Sequence, residues 1–181
     1  VDLTVTAEAV TTAEKAEESL ALFRKAEHVT LLALPDLSGV IVDCDTGEHT
    51  AVSAEFYFNR YEGDWNALLR ALFSSDIKKV SHNVKDLQRT LLENDLPIEG
   101  FVFDTALAGY LLDATAGKYD IASLFAAYFH QTLAEPKHLD CEAFSMLGNT
   151  AEAEAAFHIY ASAIGALYEA FAPMIEQREL H

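Results

Sequence analysis

Apolar positions along the chain change period twice, and the elements follow from those changes. Between Thr11 and Ala26, the residues Ala13, Ala16, Leu20 and Phe23 recur at the spacing of one helical face, and Thr11 with Glu14 predicts a capping box at the start. Val29 to Leu34 is a continuous apolar run of strand length, ended by Pro35. Gly39 to Cys44 and His49 to Val52 are two further strand-like runs, joined by a turn at Asp45-Thr46-Gly47. Three strands in succession predict an antiparallel meander.

Helical spacing then returns. Asp64 is placed to cap a helix with Trp65, Leu68, Leu69, Leu72 and Phe73 on one stripe. Ile77 to Ser81 reads as a short strand, Val84 to Glu93 as a helix, Phe101 to Phe103 as another strand, and Asp104 to Leu112 as the helix it feeds. Lys118-Tyr119-Asp120 opens a helix carrying Ile121, Leu124, Phe125 and Tyr128. The stretch from His130 to Asn149 shows no period and predicts a long loop. Thr150 is the expected cap of the last helix, where Phe157, Tyr160, Ile164, Leu167, Phe171 and Met174 repeat at helical spacing. A meander followed by helix-strand-helix-strand-helix predicts an α/β fold of the ribonuclease H-like kind, a five-stranded mixed sheet flanked by helices.

Length and composition sharpen this picture. The 181 residues suit one domain spanning 1–181, and 51% apolar residues suit a packed core rather than a disordered chain. No apolar run approaches the roughly 20 residues that span a bilayer, so no membrane association and a cytoplasmic location are expected. The chain opens on Val1 rather than Met, which is expected of a piece of a longer polypeptide. Twenty-nine acidic against 12 basic residues leave a net charge of −17, which disfavours approach to a polyanion. Cys44 and Cys141 form no CxxC pair and read as reduced, buried thiols.

From Lys79 to Phe129 the chain resembles the middle of the 3′–5′ exonuclease domain of bacterial DNA polymerase I. The residues that carry the likeness are an Asn-led helix at Asn83, then Gly100, then Phe103-Asp104-Thr105 opening a Leu/Tyr-rich helix, then Gly117 and Asp120 before a helix with Ser123-Leu124. More loosely the likeness covers the whole chain, and Tyr168 to Leu180 resembles the helix leading into the polymerase thumb. The resemblance implies a parent DNA polymerase acting in replication and repair. Active members hydrolyse a 3′-terminal nucleotide with two divalent metals, Mg²⁺ or Mn²⁺, about 3.5–4 Å apart and held by carboxylates.

Set in the family register, those carboxylate positions fall on other side chains. The Asp-x-Glu of the first strand falls on Ala33 and Pro35; sliding by one gives Leu34 and Asp36, which restores one acid. Counting back from Phe103-Asp104-Thr105 keeps Asn83 and places the second-motif Asp on Leu87. The Tyr-x-x-x-Asp of the last helix falls on Ala156 and Tyr160. Leu87 shares a face with Val84 and Leu91 and is expected to fill core, as is Tyr160 beside Phe157 and Ile164. The resemblance therefore implies a degenerate, Bacillus-like form with no catalytic residues and no metal, a monomeric domain that packs against the polymerase and 5′-nuclease regions of its own chain and meets DNA only through them.

Asp86 is one helical step, about 100°, from the Leu87 position, and Asp104 is expected to cap its helix rather than bind metal. Lys118 and Tyr119 read as a solvated turn, and His82 as a turn residue without an identifiable acid–base partner. His130, His138 and Cys141, with Asp140 and Glu142, match no structural-zinc spacing and read as loop residues. Two other functions remain open at this level: an active metal-dependent proofreading exonuclease, and a divergent domain that reuses the old cleft for another ligand.

Overall fold

The computed structural model describes residues 3, 7–45, 51–133 and 150–179. Along the chain run β1 (Glu8–Ala9), α1 (Ala13–Lys25), β2 (Val29–Ala33), β3 (Gly39–Asp45), β4 (Ala51–Tyr57), α2 (Trp65–Leu72), β5 (Lys79–Ser81), α3 (Val84–Glu93), β6 (Phe101–Asp104), α4 (Thr105–Leu112), α5 (Ile121–Phe129) and α6 (Thr150–Glu179). The strands form one mixed sheet in the order β1-β4-β3-β2-β5-β6. β2, β3 and β4 are the antiparallel meander, while β5 and β6 add in parallel on the β2 side.

The sheet has six strands where five were expected. The extra one, β1, is a two-residue edge strand running parallel to β4, with Glu8 opposite Ala54 and Ala9 opposite Glu55. Both of its residues are exposed. A pair that short has no alternation to read, because only backbone hydrogen bonds place it. The N-cap of α1 is likewise Thr12 rather than Thr11: its side-chain oxygen accepts from the Lys15 amide at 3.2 Å. A threonine caps the helix as expected, but the expected capping box is not formed, because the residue three positions after Thr12 is Lys15 and not an acid.

Period-two alternation divides the core between the two faces. Val29 and Leu31 of β2, Val40 and Val42 of β3, and Phe56 of β4 face α1 and α2. Leu32, Ile41, Tyr57 and Val80 face the other way, onto α5 and α6. Through Phe157, Tyr160, Ile164, Leu167 and Phe171, all buried, α6 lays one continuous stripe on that second face. Met174, at the end of the same stripe, is 40% exposed.

A lysine sits inside the first layer. Lys79 is fully buried, its ammonium donating to the carbonyls of Ser74 (3.0 Å) and Ile77 (2.7 Å) and lying 5.3 Å from the Phe101 ring centroid. Gly100 passes over it at φ +81°, where an added Cβ would stand 2.6 Å from Nζ and 2.3 Å from the Ile77 carbonyl, so only glycine fits. Burial pulls the Lys79 pKa down to about 8, with Glu99 opposing. The folded form therefore releases its proton before the unfolded form does, and stability rises as pH climbs from about 8 towards the unfolded lysine value. Urea unfolding should show a gain of about 1–2 kcal/mol between pH 8 and 9.5 in wild type that is missing in Lys79→Met. A wild-type stability that falls over this window as fast as the variant's contradicts the assignment.

Candidate functional site

The ends of β2 and β5 and the first turns of α3 enclose a groove of about 250 Å³. Ala33 and Pro35 line one wall and Leu87 the other, with Asp86 and Thr90 beside it on α3. Three positions assigned from the family register thus meet in one hollow. The fourth and fifth do not: Ala156 and Tyr160 are 5% and 2% exposed, and Tyr160 lies within the second core layer. Burial, then the nearby Asp120 carboxylate, hold the Tyr160 phenol above its ordinary pKa.

Leu87 departs from its expected role. It is half-buried and walls the groove, and of the stripe Val84-Leu87-Leu91 only Leu91 is buried. Leu87 still packs on the first core layer, so the groove remains open beside it rather than being filled by it.

Asp104, outside the lining of this groove, holds the start of the helix that walls it. One carboxylate oxygen accepts from the amides of Asn83 (2.8 Å), Ala106 (2.9 Å) and Leu107 (3.4 Å), and the other accepts from the Val84 amide (2.9 Å). A single side chain thereby caps both α3 and α4. Asn83 takes a left-handed conformation, φ 58°, and its side-chain amide donates to Asp86 at 2.7 Å. The other Asp86 oxygen pairs with Arg89 at 3.1 Å.

His82 is part of the same bracing. Its Nδ1 lies 2.7 Å from the Thr105 hydroxyl, which also donates to the Ser81 carbonyl at 3.3 Å. Burial lowers the His82 pKa, against the opposing pull of Asp104 and Asp120. Asp120 caps α5 through the Ser123 amide at 3.2 Å. Gly117 takes φ +83°, which explains glycine at that turn, and Tyr119 donates its hydroxyl proton to the Asp113 carbonyl at 2.8 Å while Lys118 is exposed.

The donor set does not suit a pair of divalent metals. Hard cations take oxygen ligands, yet the groove walls present Ala33, Pro35, Leu87, Leu32 and Leu34, and the one lining carboxylate, Asp86, is engaged by Asn83 and Arg89. Asp36 lies outside this hollow, its Oδ1 accepting from the Ser38 amide (3.0 Å) and hydroxyl (2.5 Å). Among the described residues no group of three or more His, Cys, Asp or Glu side chains could hold a metal ion. His130 is an exposed C-cap residue of α5; His138, Asp140, Cys141 and Glu142 lie outside the described residues. Cys44 is buried and free.

A buried polar cluster elsewhere gave no signal in the sequence. Glu55 of β4 accepts from the Tyr57 hydroxyl at 3.0 Å and lies 2.5 Å from His158 Nε2 on α6, both residues 6% exposed. Arg60 pairs with Glu154 and lies 4.9 Å from the Tyr57 ring centroid. The partners are about 100 positions apart in sequence, and together they pin α6 to the meander.

Residues 49–137 match the family described as "DNA polymerase I, ribonuclease H-like domain". Among solved structures, the POL domain of Pol1 from M. smegmatis, in complex with DNA primer-template and dNTP, superimposes with a TM-score of 0.64 at 16% identity, covering 93% of this chain and 28% of that one. Trypanosoma brucei RNase D gives 0.69 at 16% identity over 93% of this chain and 65% of that one. The Aedes aegypti Nibbler EXO domain gives 0.67 at 11% identity over 98% and 94%. At such identities the likeness is one of fold, and the ribonuclease H-like expectation is met. No curated protein matches the sequence.

Proposed function

We propose that this DNA polymerase I exonuclease-like domain has lost 3′–5′ hydrolysis and serves its parent polymerase as a structural domain. The observation that carries the reading is the character of the groove: where the family register asks for metal-binding acids, Ala33, Pro35 and Leu87 line it and Tyr160 is sealed in the core. Two metals in such a site would lack the anionic oxygen cage that holds and charge-balances them. The remaining acids have other duties, Asp104 as a double cap and Asp86 in its contacts with Asn83 and Arg89.

The packing role has its own support. Val102 on the edge strand β6 and Leu107 and Leu111 on α4 are 52%, 55% and 50% exposed around a groove of about 420 Å³. An apolar face of this kind suits burial against the rest of a longer polypeptide. No helix among the described residues is long and apolar enough to cross a membrane.

The deciding measurement is release of the 3′-terminal mononucleotide from an end-labelled single-stranded oligonucleotide in millimolar Mg²⁺ or Mn²⁺. The expected result is no release above a protein-free control. Metal-dependent release that survives repurification and disappears in Asp86→Ala or Asp36→Ala would establish an active exonuclease instead.

A further inference from the structure

The buried cluster between the meander and α6 has a charge balance that turns on one proton. Glu55 and His158 are each 6% exposed, and His158 Nε2 lies 2.5 Å from Glu55 Oε2. That oxygen also accepts from the Tyr57 hydroxyl at 3.0 Å, and burial raises the Tyr57 pKa, so the phenol keeps its proton. Asp43 of β3 is a second acid on this face of the sheet. It accepts from the Ser53 hydroxyl at 2.5 Å. Burial holds its carboxyl above the ordinary range, while the Ser53 hydrogen bond and the His158 charge pull it back.

Other charges near the cluster are committed elsewhere. Among the described residues the other cation facing it is Arg60, which pairs with Glu154, one turn before His158 on α6. Thr30, opposite Asp43 on β2, is neutral. Lys79 of β5 lies in the opposite layer, against Phe101, and Asp120 at the start of α5 acts on Tyr160. With His158 protonated, the acids Asp43, Glu55 and Glu154 face two cations; without that proton only Arg60 remains. The second half of α6 has fastenings of its own. Arg178 donates to the Leu111 and Leu112 carbonyls of α4, and Phe171 stacks on Tyr128 of α5.

We propose that His158 is a proton-operated latch, whose imidazolium holds the first half of α6 on the meander and whose deprotonation loosens that half while the second stays docked. Removing the cation leaves Glu55 and Asp43 buried side by side with like charge, which is costly in a low-dielectric layer. Helices open in parts, so the cost falls on the turns that carry it and not on the whole fold. A proton held more tightly by the closed pair than by free histidine stabilises the docked helix below about pH 6.5. That contribution is lost as pH rises through the closed pair's own value. The latch is independent of whether the groove beside Leu87 hydrolyses DNA, since the two share no residue.

Amide hydrogen exchange of the whole chain from about pH 6 to pH 9, corrected for intrinsic rates, tests the latch, together with NMR titration of the imidazole signals. Protection of residues 150–164 should fall about tenfold over this range relative to residues 165–179, tenfold being what a one-unit difference in proton affinity supplies. The second half of the helix is the reference, so the titration of Lys79, which acts on the fold as a whole, cancels. In His158→Gln, which keeps an N–H for Glu55 and cannot ionise, the ratio should stay flat. His28→Gln removes another imidazole that touches α6, 4.8 Å from the Tyr168 ring, and should leave the fall unchanged. Should His158→Gln fail to fold, wild type still decides, because the His158 ring must titrate across the range in which protection is lost. The inference is overturned if the two halves lose protection together, if the fall persists in His158→Gln, if His28→Gln abolishes it, or if the His158 ring does not titrate in this range.

Discussion

Tyr160→Asp is expected to destabilise the domain by roughly 5 kcal/mol, the largest single effect of placing an acid at any position the family register marks. Tyr160 is 2% exposed in the layer that α6 lays on the sheet, with Phe157 and Ile164 as neighbours in its stripe. Substitution removes an aromatic ring from packed surroundings and puts a carboxyl in its place, near the Asp120 charge that already raises the phenol's pKa. The new carboxyl would ionise only at raised pH in the folded state. The deficit is therefore smallest below the unfolded Asp value, near about pH 4, and grows as pH rises through the folded value. Leu87→Asp is the control: a half-buried wall residue can turn a carboxylate to water, and about 1–2 kcal/mol is expected. Urea unfolding of both variants at pH 4 and pH 7, with and without Mn²⁺, checks the pair. A Tyr160→Asp protein as stable as Leu87→Asp, or one that Mn²⁺ restabilises, would show that an ionic site survives there.

Asp104→Ala is expected to cost about 3 kcal/mol, more than an ordinary cap deletion of about 1 kcal/mol, because four backbone amides on two helices lose their acceptor together. Asp104→Asn should recover part of the loss, since its one acceptor oxygen can serve one helix start but not both. Thermal unfolding of the three proteins decides the matter. An Asp104→Ala variant within about 0.5 kcal/mol of wild type would mean that the amides find water instead and that the carboxylate is kept for something other than capping.

The parts of this fold that were legible are those where local chemistry dominates. α3 was read at Val84–Glu93 and is found there, and Asp64 and Asp104 cap the helices they precede. The meander was visible because Val29 to Leu34 and Gly39 to Cys44 are strongly apolar runs bounded by a proline and a turn. What stayed hidden depends on partners distant in sequence. Lys79 reads as a surface residue until Gly100 and two carbonyls close over it. Glu55 and His158 read as ordinary polar positions until α6 crosses β4. Leu87 has the helical spacing of a core residue, yet it lies at the margin of α3's buried face, and periodicity cannot separate a margin from a centre.

The double cap also bears on what resemblance can report. Phe103-Asp104-Thr105 is among the residues by which this chain is recognised, and the Asp104 carboxylate is occupied in starting two helices and the Thr105 hydroxyl in bracing His82. Those tasks are the same whether or not a nucleotide is ever hydrolysed nearby. A lineage that shed its chemistry would still keep this signature if the four backbone amides need the Asp104 acceptor to start both helices. Kinship measured on such letters records inherited scaffolding, and whether the enzyme survived must be read from positions that have no second employment.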